Sequence, residues 1–326
     1  METDELTGVF GLSVEKSRKI APFALFAMTF IWGATFVWMK QILDATESEI
    51  AEFGVGTVTM FYIGARFLIA AVLLGVLFKS CREGLVDSQI WKYGVWLGFL
   101  LFLGFLSQMS ALEEIDPGTS AFLTSLYVVL TAIFTTLFEA KKPAKIMWVG
   151  VGLATFGASF ISGPPHLTWG RAELVTVICA FVFALHIVYT QRATKIADPM
   201  GISITSFIVV VLFCAILLLA SEGEGLLDLF VLLRVEGVLV PLICLGVLGS
   251  GVALLTLNLF QRYFDPVKAA ILYSFEPVWA TIIGLTMAMV PWTWWILVGG
   301  GAIFLGNIIV ELNSNETPNH LETQVE

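Results

Sequence analysis

Residues 265–288 read DPVKAAILYSFEPVWATIIGLTMA, and residues 116–139 read DPGTSAFLTSLYVVLTAIFTTLFE. Each is an apolar run of about 20 residues behind an Asp-Pro pair, long enough to cross a bilayer core as a helix. The two stretches stand 149 residues apart, and at that offset 116–161 lies on 265–310 without a gap. Eleven of those 46 positions are identical, and the informative ones are not aliphatic. Asp116-Pro117 falls on Asp265-Pro266, Ser125 on Ser274, and Gly150, Gly152 and Gly157 on Gly299, Gly301 and Gly306. A fainter echo sets Trp32-Gly33-Ala34 opposite Phe183-Ala184-Leu185. The chain reads as one membrane-spanning unit written twice.

Composition agrees along the whole length. Of 326 residues, 58% are hydrophobic and 13% charged, against about 25% charged in soluble domains. Apolar runs predict ten spans, at 20–39, 57–78, 93–112, 118–138, 146–163, 172–190, 202–220, 238–260, 267–288 and 292–310. The first repeat then occupies 20–163 and the second 164–311, with polar, disordered tails at 1–19 and 312–326. The loops are short, so function has to reside in the bundle. The net charge of −9 comes from acids in tails and loops, and no polybasic block points to nucleic acid. Cys179, Cys214 and Cys244 sit in apolar runs and Cys81 in a charged loop, without metal-site or CxxC spacing. No metal or cofactor is implied.

Lysine and arginine set the expected orientation. With the N-terminus inside, thirteen basic residues fall inside: Lys16, Arg18, Lys19, Lys79, Arg82, Lys92, Lys141, Lys142, Lys145, Arg192, Lys195, Arg262 and Lys268. Only Lys40, Arg171 and Arg234 fall outside, and Arg66 lies within the second span. Both termini are therefore expected in the cytoplasm. Five spans per half is an odd number, so the second half enters the membrane upside down. Such inverted repeats are the architecture of secondary transporters, with the substrate site near the midplane between the halves.

The residues that carry a family likeness are Phe30-Ile31-Trp32-Gly33-Ala34-Thr35-Phe36, Ala65-Arg66-Phe67-Leu68 and Phe275-Glu276-Pro277-Val278, with Phe138-Glu139 closing a span before a basic loop and a glycine-rich span. In their order and spacing the chain resembles the drug/metabolite transporter superfamily, as a ten-span permease with two EamA-type repeats over residues 20–310. The resemblance implies an all-α integral membrane fold and transport of amino acids or related metabolites, commonly as export from the cytoplasm. Ala288 stands where the first half has Glu139, which argues against a symmetric pair of acids there.

An ionisable group within a span costs about 2.5–3.5 kcal/mol on insertion scales, so it faces a cavity or a partner. Glu276 is the clearest case, and Pro277 beside it cannot donate to the carbonyl of Tyr273, which kinks the helix. Glu276 reads as a proton-coupling site or an anchor for a substrate amine, or else as a structural group beside the kink. Arg66 reads as the holder of a substrate carboxylate or as the ion-pair partner of Glu276. His186 is a relay or a packing residue. Gln108 and Asn258 line a cavity or lock helices together. Tyr127, Tyr273, Trp32 and Trp38 are candidates for an aromatic wall. Trp292, Trp294 and Trp295 read as an interfacial belt. Gly94 with Gly98, and Gly246, Gly249 and Gly251, read as close-packing faces.

These residues predict a secondary transporter, working as a monomer among membrane lipids on a small molecule, with protons as the coupling ion or with exchange. The compact loops suit a bacterial inner or plasma membrane. A phosphate-binding GxxxxGK[ST] loop is missing, and so are HExxH, GxSxG and paired aspartates within a span, which argues against ATP-driven transport and against a membrane-embedded enzyme. Glu113, Glu114 and Asp116 form an acidic outer loop. The alternative on the same fold is a flippase for a lipid or lipid-linked metabolite.

Overall fold

The computed structural model describes residues 8–139, 143–161 and 170–314. Lys141, Lys142, the expected boundary at 163–164 and the outer parts of both tails lie outside the described residues. Within them every regular element is helical. The main helices are α1 (Val14–Ala45), α2 (Val55–Leu77), α3 (Ser88–Leu112), α4 (Pro117–Thr124), α5 (Tyr127–Glu139), α6 (Lys145–Ile161) and α7 (Arg171–Ile196). They continue with α8 (Pro199–Glu222), α9 (Leu239–Cys244), α10 (Ala253–Phe260), α11 (Pro266–Tyr273), α12 (Glu276–Thr286) and α13 (Trp295–Ser314). Taking α4–α5, α9–α10 and α11–α12 each as one crossing, eight stretches are long and apolar enough to span a membrane. The apolar parts of α6 and α13, Lys145–Phe160 and Trp295–Val310, are shorter and occupy the expected fifth and tenth spans.

Two expected boundaries move. Ser13 caps α1, its Oγ accepting from the Lys16 amide at 3.3 Å, so the helix starts at Val14 rather than at residue 20. Lys16, Arg18 and Lys19 are thus helical and not part of a disordered tail. Just before it, the amide of buried Val9 donates to Ser17 Oγ at 2.9 Å. At the other end α13 runs to Ser314, three residues into the expected tail.

The repeated residues have a structural meaning. Asp116 and Asp265 are N-caps: the Asp116 carboxylate accepts from the Thr119 amide at 2.9 Å, and that of Asp265 from the Val267 amide at 2.9 Å. The following prolines occupy the first helical turn, where a missing N–H is harmless. Ser125 Oγ donates back to the Phe122 carbonyl at 2.6 Å, and Ser274 Oγ to the Ile271 carbonyl at 2.5 Å. Both crossings break at these serines. The ninth span was expected to be kinked by Pro277, yet it is two helices, and the fourth span breaks at the same place without a proline. A serine bonded to its own preceding turn competes with helix continuation in both halves.

The two halves also touch reciprocally. α11 packs on α5 and α12 on α4, while α6 lies along α13. A Cβ added at Gly157 would fall 2.4 Å from the Gly299 carbonyl oxygen, and one at Gly306 would fall 3.2 Å from that of Gly150. These four are repeat-related glycines, and they let the two backbones approach closely. Gly94 and Gly98 do the same for α3 against Thr205, Ser206 and Val209 of α8. Between α9 and α10, Leu245–Val252 is π-helical and carries Gly246, Gly249 and Gly251; Gly246 rests on Ile69 and the Arg66 carbonyl.

α12 ends in a Schellman closure, with the Met289 amide on the Gly284 carbonyl at 2.9 Å and the Ala288 amide on Leu285 at 3.2 Å. Ala288 sits there at φ +57°, a conformation that costs a residue with a Cβ about 1–2 kcal/mol. Ala288→Gly is therefore expected to raise stability by about 1 kcal/mol, read as a higher thermal midpoint of the detergent-solubilised protein; an unchanged or lower midpoint would contradict it.

Candidate functional site

The breaks in α4–α5 and α11–α12 place Tyr127 and Glu276 at the first position of the following helices, facing each other. Tyr127 Oη donates to Glu276 Oε2 at 3.2 Å, and the two residues are 149 apart, the repeat offset itself. Both are buried. They line a largely enclosed cavity together with Trp32, Thr35, Phe105, Gln108, Thr124, Phe183, His186 and Leu254. Its walls are built from repeat-related pairs. Trp32 with Phe183 and Thr35 with His186 are each 151 residues apart, while Phe105 with Leu254, Gln108 with Leu257 and Tyr127 with Glu276 are each 149 apart. Repeat-related positions thus meet at one cavity with different chemistry: one half offers an amide and a phenol where the other offers a leucine and a carboxyl.

The cavity holds a few hydrogen-bonding groups in an apolar wall. Gln108 Nε2 reaches Thr124 Oγ1 at 3.5 Å, and Thr190 Oγ1 lies 3.4 Å from His186 Nδ1. Among the described residues Trp32 Nε1 has no hydrogen-bond partner, so it is a buried donor awaiting an acceptor. The free space amounts to about 40 Å3, room for a few waters but not for a metabolite.

On the side of Phe264, the cavity is closed by a polar layer. Tyr273 Oη donates to Gln261 Oε1 at 3.1 Å, Gln261 Nε2 to the Ile187 carbonyl at 2.6 Å, and Gln191 Nε2 to the Phe264 carbonyl at 2.9 Å. Ile187 itself lines the cavity, and the Tyr273 ring meets Trp32 edge-on at 5.7 Å.

The expected candidates therefore separate. Glu276, Tyr127, Trp32, Gln108 and His186 converge on the cavity. Tyr273 belongs to the closing layer beneath it. Asn258 locks α10 to α8, donating to Ser203 Oγ at 2.7 Å, and does not line the cavity. Trp38 lies at a separate outer opening with Gln41 and Met287. Trp292 and Trp294 are exposed, as residues of an interfacial belt would be. Pro277 occupies the first turn of α12, so it starts a helix more than it kinks one.

The expected ion pair between Arg66 and Glu276 does not form. Arg66 Nε donates to Ser250 Oγ at 2.8 Å, and the guanidinium stacks over the Phe105 ring at 4.4 Å. It stands behind the wall of which Phe105 is the inner face. The π-helical segment brings Ser250 to it, and Gly249 leaves room beside its Nη2. The double reversal Arg66→Glu with Glu276→Arg is accordingly expected to yield no more folded protein than either single change; recovery of wild-type yield would show a pair after all.

Thr35, Phe105, Thr124, Phe183 and Leu254 escaped the sequence reading as cavity residues. The signal was present in the repeat, since Phe183 echoes Trp32, and Thr124 falls on Tyr273 at the 149-residue offset. Their side-chain types alone, an aromatic or a threonine on an apolar helix, carry no such message.

The model of the EamA-like transporter family matches twice, over residues 19–163 and 170–312. A curated protein of Archaeoglobus fulgidus, described as an uncharacterized transporter, is 25% identical over 295 residues, covering 90% of this chain and 87% of that protein. A crystal structure aligns over 91% of this chain and 99% of its own length with a TM-score of 0.61, at 14% identity, a likeness of fold alone. The two matched segments cover most of the chain and divide it where the sequence repeats itself. This multi-pass membrane protein belongs to the EamA-like transporter family, within the drug/metabolite transporter superfamily.

Proposed function

We propose that the chain is a secondary active exporter of a small amphipathic metabolite, an amino acid or a related compound, with Glu276 as the site that couples substrate to protons. The observation that carries this reading is the Tyr127–Glu276 contact: an acid and a phenol at repeat-related positions, meeting in an enclosed cavity at the break of two crossings. Discontinuous helices at the junction of two repeats are where secondary transporters hold substrate and coupling ions. The ionised carboxylate accepts from Tyr127, and it offers one place that a proton or a substrate ammonium can occupy, but not both. That exclusion is the simplest form of exchange. Trp32 Nε1 and Gln108 supply donors for a carboxylate at the other end of the same molecule, and Phe105, Phe183 and Leu254 receive its apolar part.

In this reading the two halves are inverted five-span repeats, α6 and α13 complete the count of ten, and both termini lie in the cytoplasm, as the thirteen inner basic residues favour. The reciprocal α4–α12 and α5–α11 contacts are those of two units related by a pseudo-two-fold axis. One fused pair of halves is sufficient, so the chain works as a monomer. The small free space is the closed phase of a cycle in which substrate enters when Tyr273 and Gln261 part.

The test is uptake of labelled amino acids and related amines into proteoliposomes of defined lipid, with and without a pH gradient. Accumulation of one class driven by the gradient supports the reading. Equal uptake with and without the gradient, for every transported class, would remove the proton from it.

A further inference from the structure

Outside the central cavity, a lateral groove of about 760 Å3 lies between α1 and the helices α11 and α13. The geometry points to a binding site for one anionic phospholipid, with the headgroup held at Arg18, Lys19 and Lys268 and an acyl chain along an aromatic floor. It rests neither on the transport reading nor on the sidedness of the chain.

The groove has the two chemistries such a lipid requires, arranged end to end. At its mouth stand three cations, two from the first turns of α1 and one from the first turn of α11. Lys19 is shared with Glu15 at 2.6 Å, and the Lys268 ammonium lies 5.2 Å from the Phe264 ring centroid, over the wall of the groove. Below them the lining turns apolar. Phe26 meets Phe275 edge-on at 5.0 Å, and Phe275 meets Phe304 at 6.2 Å. Phe304 is more than half exposed and Phe26 a little over a third, so this floor opens sideways toward lipid tails.

Pro22 contributes to the shape. It has no N–H to offer the Arg18 carbonyl, so an acceptor is left without its helical donor beside the mouth. A glycerol headgroup carries hydroxyls that suit it. Basic pockets between transmembrane helices recognise anionic lipid headgroups, whereas a plain apolar groove takes any tail. Charge complementarity is thus what commits the occupant to an anionic lipid. The groove joins the first helix of one half to the last crossings of the other, so the lipid would bridge the two halves next to Phe275, the neighbour of Glu276.

The experiment is native mass spectrometry of the full chain in detergent, titrated with phosphatidylglycerol or with phosphatidylcholine of the same tails. A single phosphatidylglycerol retained in preference to phosphatidylcholine is expected. The double variant Arg18→Gln with Lys268→Gln is expected to weaken phosphatidylglycerol about 25-fold, at roughly a factor of five per charge, while leaving phosphatidylcholine unchanged. The double variant Lys79→Gln with Lys92→Gln removes as much charge elsewhere and serves as the control. Equal retention of both lipids overturns the proposal. So does equal weakening in the control, which would mean diffuse surface attraction, or competition by inorganic phosphate alone, which would mean an anion site without a lipid.

Discussion

Glutamine in place of Glu276 is expected to cut pH-gradient-driven transport by about 100-fold while exchange of labelled for unlabelled substrate persists. A hydrogen bond to a charged group is worth about 1.5–3 kcal/mol, roughly 10- to 150-fold in an equilibrium, and the amide can neither release nor take up a proton. The substitution keeps the size of the side chain, and the Tyr127 hydroxyl can still donate to the amide oxygen, so the fold and the closed cavity should survive. Two readings of the carboxyl separate in the exchange assay. If it carries only the proton, KM for exchange stays near that of the wild type; if it also holds a substrate amine, KM rises by about tenfold or more. Tyr127→Phe removes this hydrogen bond but leaves the titrating carboxyl in place, so gradient-driven transport should persist, reduced by about tenfold or more. Gradient-driven transport unaffected by Glu276→Gln would make the residue structural and the proposed coupling wrong.

Valine at position 33 is expected to cause the largest loss of folded protein of any single change in the first helix. An added Cβ at Gly33 would stand 2.4 Å from the Cβ of Trp279, 2.8 Å from the Ala280 nitrogen and 3.0 Å from the Glu276 carbonyl oxygen. Two of those three neighbours are backbone atoms of α12, which cannot swing aside. Overpacking of a tight core costs about 1–3 kcal/mol and occasionally more, and here relief requires α1 and α12 to separate. That separation would also move Trp32 away from Glu276, so transport should fail even in the fraction that folds. Gly152→Val and Gly301→Val are matched controls, because among the described residues no atom beyond their own helical turns lies within 4 Å of a Cβ at either site. The comparison is monodisperse yield and thermal midpoint in one detergent. A Gly33 variant that unfolds like the wild type would show that the contact is loose.

The residues that made the membrane fold legible were those whose meaning does not depend on a distant partner. An apolar run long enough to cross a bilayer declares itself, and so do Asp116-Pro117 and Asp265-Pro266, because an N-cap and a first-turn proline act within four residues. Glu276 stood out for the same reason: a carboxyl in an apolar span is costly wherever the rest of the chain goes. Arg66 stands out equally, but of its two sequence readings the ion pair with Glu276 is not the contact it makes. Its real contacts, Ser250 and Phe105, lie 184 and 39 residues away and are ordinary residue types. Opposite charge is not the only contact open to a guanidinium: a hydroxyl takes its Nε and an aromatic face its π side, while Nη2 has no partner among the described residues.

The sequence by itself determined that the chain is a helical membrane protein made of two related halves, and it singled out the acid at the centre. Those properties follow from hydrophobicity, periodicity and repetition, which are additive along a chain. Only the tertiary structure decided that both serine breaks fall at one level, that Tyr127 meets its own repeat counterpart Glu276, and that Arg66 and Asn258 are left outside the cavity. Such choices depend on which helix face turns toward which neighbour. A rotation of a few tens of degrees, set by the close approach at glycines such as Gly33 and Gly157, moves a side chain from the cavity to the lipid, and no local run of residues records it.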